Sequence, residues 1–274
     1  MNNIYITDLD HTFLRTDLSI SPFTQKIWNV KTDNHILSVA TARSFKKTEQ
    51  FLKNLHVNAP MILLDGSLIV SEDKKIIDTK FITQDLGDAI IDEGAKLNIY
   101  PFVLALEDQN LNEAFLYPAQ RNEYQHNLLK RYTKDDNLQE RKEIRTMSDN
   151  FKLVYMGDES ILKHLRDKLH SIFKNNLKYI LAPEAYMGCY FLTLLHADAD
   201  KAHGLNIVSD YLGRNLTDFT VFGDNLNDLG MFQLSGTSVA VSNAHDKLKK
   251  YADIVLPHTN DEDGVAKYLQ SVGV

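Results

Sequence analysis

The feature that most constrains this chain is a short apolar segment near its start that ends in two carboxylates. Residues Ile4–Thr7 are typical of a buried β-strand, and Asp8 and Asp10 follow one residue apart. Alternate side chains of an extended segment point the same way, so both carboxylates can project beyond the strand's C-terminal end. Two like charges this close are costly unless a cation neutralises them or one carries a proton. Because ligands bind at the carboxyl ends of strands in open α/β sheets, the pair predicts a Mg²⁺-dependent site with an aspartate nucleophile.

The composition narrows the class of protein and its partners. The 274 residues are 43% hydrophobic and 24% charged, which suffices for a sizeable core in one large domain or two smaller ones. The net charge of −7 argues against a nucleic-acid binder, because neutralising phosphates requires a basic surface. A small anionic substrate stays compatible with this charge, since the local field matters more than the total.

The cysteine content and the apolar runs indicate an intracellular protein. Cys189 is the only cysteine, so no intramolecular disulfide can form, and its apolar surroundings predict a small core residue. The first residues lead straight into a strand, without the basic region or cleavage site of a secretory signal. Apolar runs fall short of the roughly 20 residues that span a bilayer. We therefore expect a cytoplasmic location and no membrane association, while the oligomeric state cannot be read from the sequence.

The order of predicted elements indicates a doubly wound, mostly parallel, Rossmann-like α/β core that a second module interrupts. Short apolar strands alternate with amphipathic helices up to about residue 80, and the alternation returns after His196. Between these stretches, helices mix with strands at hairpin-like spacing. We expect a core of residues 1–80 and 197–274 with an inserted α+β domain of residues 81–196. The charged section Asn127–Arg145 is interpreted as a surface helix and loop.

Three further polar clusters supply what the two aspartates lack. Thr41 follows the predicted strand His35–Ala40 at a helix start, where its hydroxyl and backbone N–H groups can hold an anion. Lys201 opens a predicted helix and offers a cation to a phosphoryl oxygen. Asp224 follows a later strand, and together with Asp8 it could supply the hard oxygen ligands that Mg²⁺ prefers. Each cluster alone also fits a helix cap, a turn or a surface side chain, so their combination carries the interpretation.

The four clusters resemble, in order and context, the four motifs of the haloacid dehalogenase (HAD) superfamily of phosphatases. Three C-terminal segments are similar to the Cof-type sugar-phosphatase branch, which carries a IIB cap: GDNLNDLGMF, VAVSNAHDKLKKYADIV and NDEDGVAKYL. The resemblance covers essentially the whole core and, by size and pattern alone, makes residues 81–196 the cap domain. It implies a Mg²⁺-dependent phosphomonoester hydrolase that acts on small phosphorylated metabolites, with sugar phosphates expected, through an aspartyl-phosphate.

The resemblance implies distinct roles for the acidic residues. Asp8 matches the nucleophile, and Asp10 matches the general acid/base, whose main-chain carbonyl is also a metal ligand. Asp224 matches the Mg²⁺ carboxylate, which gives Asp8, Asp10 and Asp224 as the expected metal ligands. Asp10 must hold a proton near neutral pH to act as an acid, and we expect nearby carboxylates to favour that form.

The remaining matches concern the phosphate group and the loops that hold it. The expected phosphate-binding positions are Thr41, Lys201, Asn227, Leu9 and Ala42. The expected supporting residues are Thr12 and Asp228. Arg43 is a candidate for substrate contact.

Four positions depart from the family's usual pattern without removing a catalytic group. Glycine is commonest at the positions of His11, Ala42 and Ala202, and asparagine at the position of Asp65. The slot of His11 faces away from the chemistry in most members, so we expect the histidine to be tolerated. Asp65 adds a negative charge near the mouth of the site. The substrate contacts known for the family are therefore a weaker guide to the substrate contacts of this chain.

Three other functions stay open. A phosphotransferase or phosphomutase of the same superfamily would pass the phosphoryl group to a second hydroxyl instead of water. A non-enzymatic phospho-acceptor would also phosphorylate an aspartate at a strand end, although Asp10 and the inserted domain argue against it, because a stored phosphate needs no acid/base. A phosphosugar-binding protein without turnover is the third alternative.

Overall fold

The computed structural model describes residues 3–132, 137–184 and 187–272, and the chain forms two compact units. The core unit is Met1–Thr79 with Asp200–Val274, and the inserted unit is Lys80–Ala199. The inserted unit therefore ends at Ala199, three residues after its expected end at residue 196. The turn after the last inserted strand stays with the inserted unit, where Lys178 Nζ donates to the carbonyl oxygen of Ala199 at 3.2 Å.

The described residues contain fifteen strands and nine α-helices, joined by short 3₁₀ turns. The strands are β1 Ile4–Thr7, β2 Ile36–Val39, β3 Met61–Leu63, β4 Leu68–Val70, β5 Ile76–Thr79, β6 Ile82–Thr83, β7 Phe102–Leu106, β8 Glu113–Pro118, β9 Leu138–Arg141, β10 Asp149–Gly157, β11 Leu177–Glu184, β12 Cys189–His196, β13 Phe219–Gly223, β14 Thr237–Ala240 and β15 Ile254–Val255. The helices are α1 Pro22–Thr32, α2 Phe45–Leu52, α3 Gln84–Ala95, α4 Glu123–Leu129, α5 Glu159–Phe173, α6 Lys201–Leu212, α7 Leu229–Leu234, α8 Asp246–Lys249 and α9 Gly264–Ser271.

The core unit is built on a five-stranded parallel sheet in the order β15-β14-β13-β1-β2. β1 lies at the point where the strand order reverses, with β2 on one side and β13 on the other. All four β1 residues are buried, which explains the apolar run that opens the chain. The mixed α/β class with a parallel core sheet is thereby confirmed. In such sheets the crevice for ligands lies beyond the carboxyl ends of the strands at the reversal point, here β1 and β13.

A small antiparallel sheet, β3-β4-β5, adjoins the core sheet. β3 pairs antiparallel with β4 and is linked to the parallel sheet by an isolated bridge between Ala40 and Ile62. Helix α6 packs closely on this sheet, because a Cβ at Gly204 would lie 2.5 Å from Ile62 Cγ2. The third predicted strand therefore packs against α6, the helix that begins with Lys201.

The inserted unit contains a sheet in the order β11-β12-β10-β7-β8-β9, with β6 pairing β10. Residues of α3 and α5 form a buried apolar cluster with this sheet. Cys189 is buried in a second cluster with Phe102 and Met156, as predicted for a core residue. Among the described residues, no helix combines the length and the apolar character needed to cross a bilayer.

The charged section Asn127–Arg145 differs in part from its interpretation as helix and loop. Residues Leu138–Arg141 form strand β9, which pairs in parallel with β8. The residues of this strand do not alternate between apolar and polar, and polar contacts help to hold it. For example, Gln139 Nε2 donates to the Glu107 carboxylate at 2.6 Å. Residues 133–136 of this section lie outside the described part of the chain.

Gly66 lies in the turn after β3, where the chain passes against Asp200. Its φ is +88°, and a Cβ at this position would lie 2.0 Å from the Asp200 carbonyl oxygen. Gly66→Ala should therefore lower the free energy of unfolding by roughly 3 kcal/mol or more, combining left-handed strain with a backbone clash. Gly213→Ala is the matched control, because Gly213 has a φ of +62° but open space around its Cβ position. Urea unfolding of both variants checks this, and equal losses would contradict the role of the clash.

Candidate active site

The end of β1 and the start of α6 bring a carboxylate and an ammonium together in the interior of the core unit. Asp8 continues the ladder of β1, its N–H donating to the Phe222 carbonyl oxygen at 3.0 Å, and it is only 6% exposed. Lys201 Nζ lies 2.5 Å from Asp8 Oδ1 and 2.7 Å from Asp228 Oδ1. The side chains of Lys201 and Asp228 are fully buried. A buried ammonium with carboxylate partners costs far less free energy than a buried ammonium without one.

Asp228 is held by the turn that follows β13. Its Oδ2 accepts hydrogen bonds from the backbone N–H groups of Asp224 at 3.0 Å and Asn225 at 3.1 Å. A Cβ at Gly223 would lie 2.5 Å from the same oxygen, so glycine is what lets the carboxylate approach the strand end. Because one oxygen contacts Lys201 and the other two N–H groups, Asp228 joins the end of β13 to the start of α6.

Asp8, Asp224 and Asp228 form a compact acidic cluster. One carboxylate oxygen of each lies within 4.8 Å of the others, and Thr12 Oγ1 donates to Asp224 Oδ1 at 3.1 Å. Burial raises the pKa of Asp8 well above its ordinary value, with Lys201 opposing this and the other two carboxylates adding to it. Burial alone would lower the pKa of Lys201, but Asp228 and Asp8 reverse that effect and raise it. Two of the three carboxylates contact the Lys201 ammonium, and the oxygens of all three are the donor type that fits Mg²⁺.

The acidic cluster makes the stability of the metal-free protein depend on pH through Asp224. Burial, followed by the charge of Asp228, raises the pKa of Asp224 to about 6. The folded protein therefore keeps a proton that the unfolded chain loses between about pH 4 and pH 6, so this stabilising contribution falls as pH rises through that window. Relative to Asp224→Asn, the wild-type free energy of unfolding should fall by on the order of 2 kcal/mol from pH 4 to pH 7. Urea unfolding in EDTA measures it, and a constant difference between the two proteins would contradict the prediction.

The loop after β2 carries Thr41 and Arg43. Thr41 is fully buried, and its N–H donates to the Ile62 carbonyl oxygen at 2.8 Å. Its hydroxyl accepts from the Arg43 N–H at 3.2 Å. The guanidinium of Arg43 binds both carboxylate oxygens of Asp10, with Nε 2.8 Å from Oδ2 and Nη2 2.5 Å from Oδ1. The predicted substrate contact of Arg43 is thus, in this structure, a contact to Asp10.

The structure places Arg43 against the Asp10 carboxylate, where the sequence predicts nearby carboxylates. Its oxygens are held by Arg43, and the crowding of carboxylates falls on Asp8 and Asp224 instead. β1 ends at Thr7, so Asp10 lies beyond the strand, at the start of a turn in which His11 has a φ of +57°. This left-handed conformation also accounts for the preference for glycine at that position. Alternation along a strand therefore does not extend across the turn to Asp10.

Asp65 and Asn227 meet on the exposed side of the site. Asn227 Nδ2 donates to Asp65 Oδ1 at 3.0 Å, and the Asp65 N–H donates to the Thr41 carbonyl oxygen at 3.0 Å. Asp65 has a φ of +54°, a conformation that aspartate and asparagine tolerate better than most residues. The substitution of Asp65 for the usual asparagine is therefore compatible with the backbone.

The structure also describes the surroundings of Ala202 and Leu9 and the position of Ala42. Ala202 packs where α7 approaches α6, and a Cβ at Gly230 would lie 2.7 Å from its side chain. Leu9 is fully buried, and its carbonyl oxygen accepts from the N–H groups of Phe13 and Leu14 at 3.0 and 2.8 Å. Ala42 lies between Thr41 and Arg43 in the loop after β2.

Known proteins of similar sequence and structure are phosphatases and HAD-fold proteins. The chain is 27% identical over 282 residues to the 5-amino-6-(5-phospho-D-ribitylamino)uracil phosphatase YwtE of Bacillus subtilis, covering 97% of this chain and 96% of that one. It is 41% identical over 81 residues to the phosphoglycolate phosphatase of Archaeoglobus fulgidus, a match that covers 30% of this chain and only 36% of that protein. A haloacid dehalogenase-like hydrolase of Bacteroides thetaiotaomicron shares the fold, with a TM-score of 0.83, 20% identity and full coverage of both chains.

These relatives and the family match confirm the predicted enzyme class, a hydrolase of the phosphatase type. The predicted resemblance to the HAD superfamily is confirmed over almost the entire chain. The sequence model of the haloacid dehalogenase-like hydrolase family matches residues 5–269, so this protein belongs to the haloacid dehalogenase-like hydrolases.

Proposed function

We propose that the protein is a Mg²⁺-dependent phosphomonoesterase that cleaves small phosphorylated metabolites, sugar phosphates among them, through an aspartyl-phosphate on Asp8. The observation that carries the proposal is the buried Asp8–Lys201–Asp228 chain at the end of β1, next to Asp224. A nucleophilic carboxylate needs a nearby cation when it approaches an anionic phosphate, and this cluster provides one ammonium and the oxygen donors for a metal ion.

In the first step, an Asp8 carboxylate oxygen attacks phosphorus and the bond from phosphorus to the leaving oxygen breaks. The Asp10 carboxyl donates its proton to that oxygen, so the alcohol departs neutral. Lys201 offsets the negative charge of Asp8 and the phosphoryl oxygens, while Thr41 and the loop N–H groups near Leu9 and Ala42 hold the phosphoryl group. The geometry supports these assignments because Lys201 contacts Asp8 directly.

In the second step, water attacks phosphorus and its proton passes to the Asp10 carboxylate. The bond between phosphorus and Asp8 breaks, its electron pair returns to the Asp8 carboxylate, and inorganic phosphate leaves. Splitting one slow hydrolysis into two displacements is the advantage of a covalent intermediate. Asp10 thus serves as acid first and as base second.

Asp8, Asp224 and the main-chain carbonyl of Asp10 are the proposed Mg²⁺ ligands. Asp228 serves as a support, because its two oxygens are engaged by Lys201 and by backbone N–H groups. When bound, Mg²⁺ would neutralise the nucleophile and the phosphate so that the two anions can approach. Thr12 holds Asp224 through its hydroxyl.

The substrate class rests on the relatives and on the inserted unit. The relatives named above act, by their names, on a phosphorylated ribitylaminouracil and on phosphoglycolate, which are both small phosphorylated metabolites. We assign the inserted unit, Lys80–Ala199, the role of the cap that selects the leaving group. Asn227 is the proposed further phosphate contact, and a cytoplasmic location is part of the same proposal.

The test is a screen of phosphorylated metabolites with Mg²⁺ and with EDTA, read as kcat/KM for phosphate release. We expect turnover of several sugar or other small phosphates that EDTA abolishes. A long-lived phosphoprotein without turnover would instead indicate a phospho-acceptor, and isomerisation of a sugar bisphosphate would indicate a mutase. Phosphate release that is indifferent to EDTA would contradict the metal dependence.

A further inference from the structure

The pair formed by Asp10 and Arg43 is more constrained than an ordinary surface ion pair. Both guanidinium bonds go to different oxygens of the same carboxylate, at 2.5 and 2.8 Å, which fixes the plane of the carboxylate. The Arg43 side chain is 22% exposed and that of Asp10 is 35% exposed, so the pair is partly accessible to water. The guanidinium also stacks on the ring of Phe51, with 4.4 Å from its central carbon to the ring centroid.

The backbone of Arg43 is anchored to the loops that surround the acidic cluster. Its N–H donates to Thr41 Oγ1 at 3.2 Å, and its carbonyl oxygen accepts from the Leu64 N–H at 3.0 Å. The side chain is thus restrained at its backbone by two hydrogen bonds, at its tip by Asp10 and on its face by Phe51. A rigid planar fork of this kind orients its partner, which a flexible lysine would not do.

We propose that Arg43 is the positioning residue of Asp10, and that it aims this carboxylate at the water that cleaves the aspartyl-phosphate. The inference rests on the proposed function. In that step the water oxygen bonds to phosphorus, the water proton goes to Asp10, and Asp8 leaves with the electron pair of the broken bond. An Asp10 carboxylate whose plane is fixed keeps one direction for accepting that proton. Arg43 acts through Asp10 in this scheme and makes no contact with the reacting atoms.

An aryl phosphate separates the two steps in the experiment. Because p-nitrophenolate leaves without a proton, the first step needs no acid, whereas the second step needs Asp10 whatever the substrate. With p-nitrophenyl phosphate and Mg²⁺, Arg43→Ala should release a burst of about one equivalent of nitrophenolate, followed by slow turnover. The steady-state rate should be about 10- to 100-fold below wild type, the cost of a misplaced group, with KM unchanged or lower. A hydroxylamine-sensitive phosphoprotein should accumulate in parallel.

Milder variants distinguish orientation from charge. Arg43→Lys keeps the charge but loses the fork, and Phe51→Leu keeps both charges but loses the stacking. Both should show a smaller slowing of the second step than Arg43→Ala. Arg15→Ala is the matched control, because Arg15 makes a similar two-bond pair with Asp263, at 2.9 and 3.3 Å, instead of with a site carboxylate. Its kinetics should match wild type, and unfolding curves of all variants establish that they are folded.

The kinetic results distinguish a wrong role for Arg43 from a wrong function for the protein. A raised KM without a burst in Arg43→Ala would mean that Arg43 binds substrate directly, and wild-type kinetics would mean that it does not position Asp10. Either result overturns the inference while leaving the proposed function intact. Absence of Mg²⁺-dependent turnover in the wild-type protein would overturn the proposed function itself.

Discussion

Asp8→Asn is expected to abolish Mg²⁺-dependent phosphate release, with a loss of roughly 10³- to 10⁶-fold in kcat, as is usual when a nucleophile is removed. An amide oxygen does not form the acyl phosphate, and phosphate trapping should recover no phosphoprotein. The stability of the fold should not decrease. Because burial raises the pKa of Asp8, the ionised carboxylate costs the folded protein stability at neutral pH, and asparagine removes that charge at nearly the same shape. The metal-free variant should therefore unfold in urea at or above the wild-type midpoint at pH 7.

The matched control for this prediction is Asp246→Asn. Asp246 is 93% exposed at the start of α8, so the same change of charge there should leave activity and stability unaltered. Turnover by Asp8→Asn at a rate near wild type would rule out Asp8 as the nucleophile. A large loss of stability in that variant would show instead that the acidic cluster is held together by the Asp8 charge.

Lys201→Met should damage both the fold and the activity. It leaves Asp8 and Asp228 buried without their shared cation, and breaking a buried pair by removing one partner costs about 3–5 kcal/mol. The rate should fall by about 10²–10³-fold, the usual cost of losing one electrostatic contact to the transition state. Urea unfolding measures the first effect and steady-state kinetics the second. Mg²⁺ should return part of the lost stability, since Asp8 is one of its proposed ligands.

A double-mutant cycle makes this prediction specific. Combining Lys201→Met with Asp228→Asn should cost less than the two single changes added together, because the second change removes a carboxylate that the first leaves unpaired. Lys249→Met is the control, because Lys249 lies near the surface and its nitrogen is 3.8 Å from the Asp246 carboxylate, a long contact for an ion pair. This variant should change the free energy of unfolding by no more than about 0.5 kcal/mol. Additive losses in the cycle would show that Lys201 and Asp228 do not stabilise each other.

The elements that the sequence predicts best are those with strong local signals. Helix α6 begins and ends where its pattern indicates, and the Ser21-Pro22 pair marks the start of α1. The meeting of Asp8 with Asp224 also follows from local information, because parallel strands bring their carboxyl ends to one edge of a sheet. The fold class and the proximity of Asp8 to Asp224 were therefore predictable from the sequence, whereas the third member of the observed cluster is Asp228 instead of Asp10.

The partners of individual side chains were not predictable in this way. Asp10 pairs with a residue 33 positions away, and no periodicity connects the two. Asp10 lies beyond the end of β1, in a turn that includes the left-handed residue His11, and a histidine gives no sign of such a turn. Strand β9 was not predicted because it lacks the apolar alternation that marks most strands and has polar contacts such as that of Gln139 with Glu107.

The central position of β1 has a consequence for the order in which the protein can fold during synthesis. Ile4 pairs with Phe219, so one edge of this strand has no partner until the ribosome has added more than 200 residues. At about 5–20 residues per second, that interval lasts roughly 10–40 s. The inserted unit, a continuous stretch of chain, can complete its sheet within the same interval. During this interval the nascent core therefore carries an apolar strand with one unpaired edge, a state that is prone to aggregation.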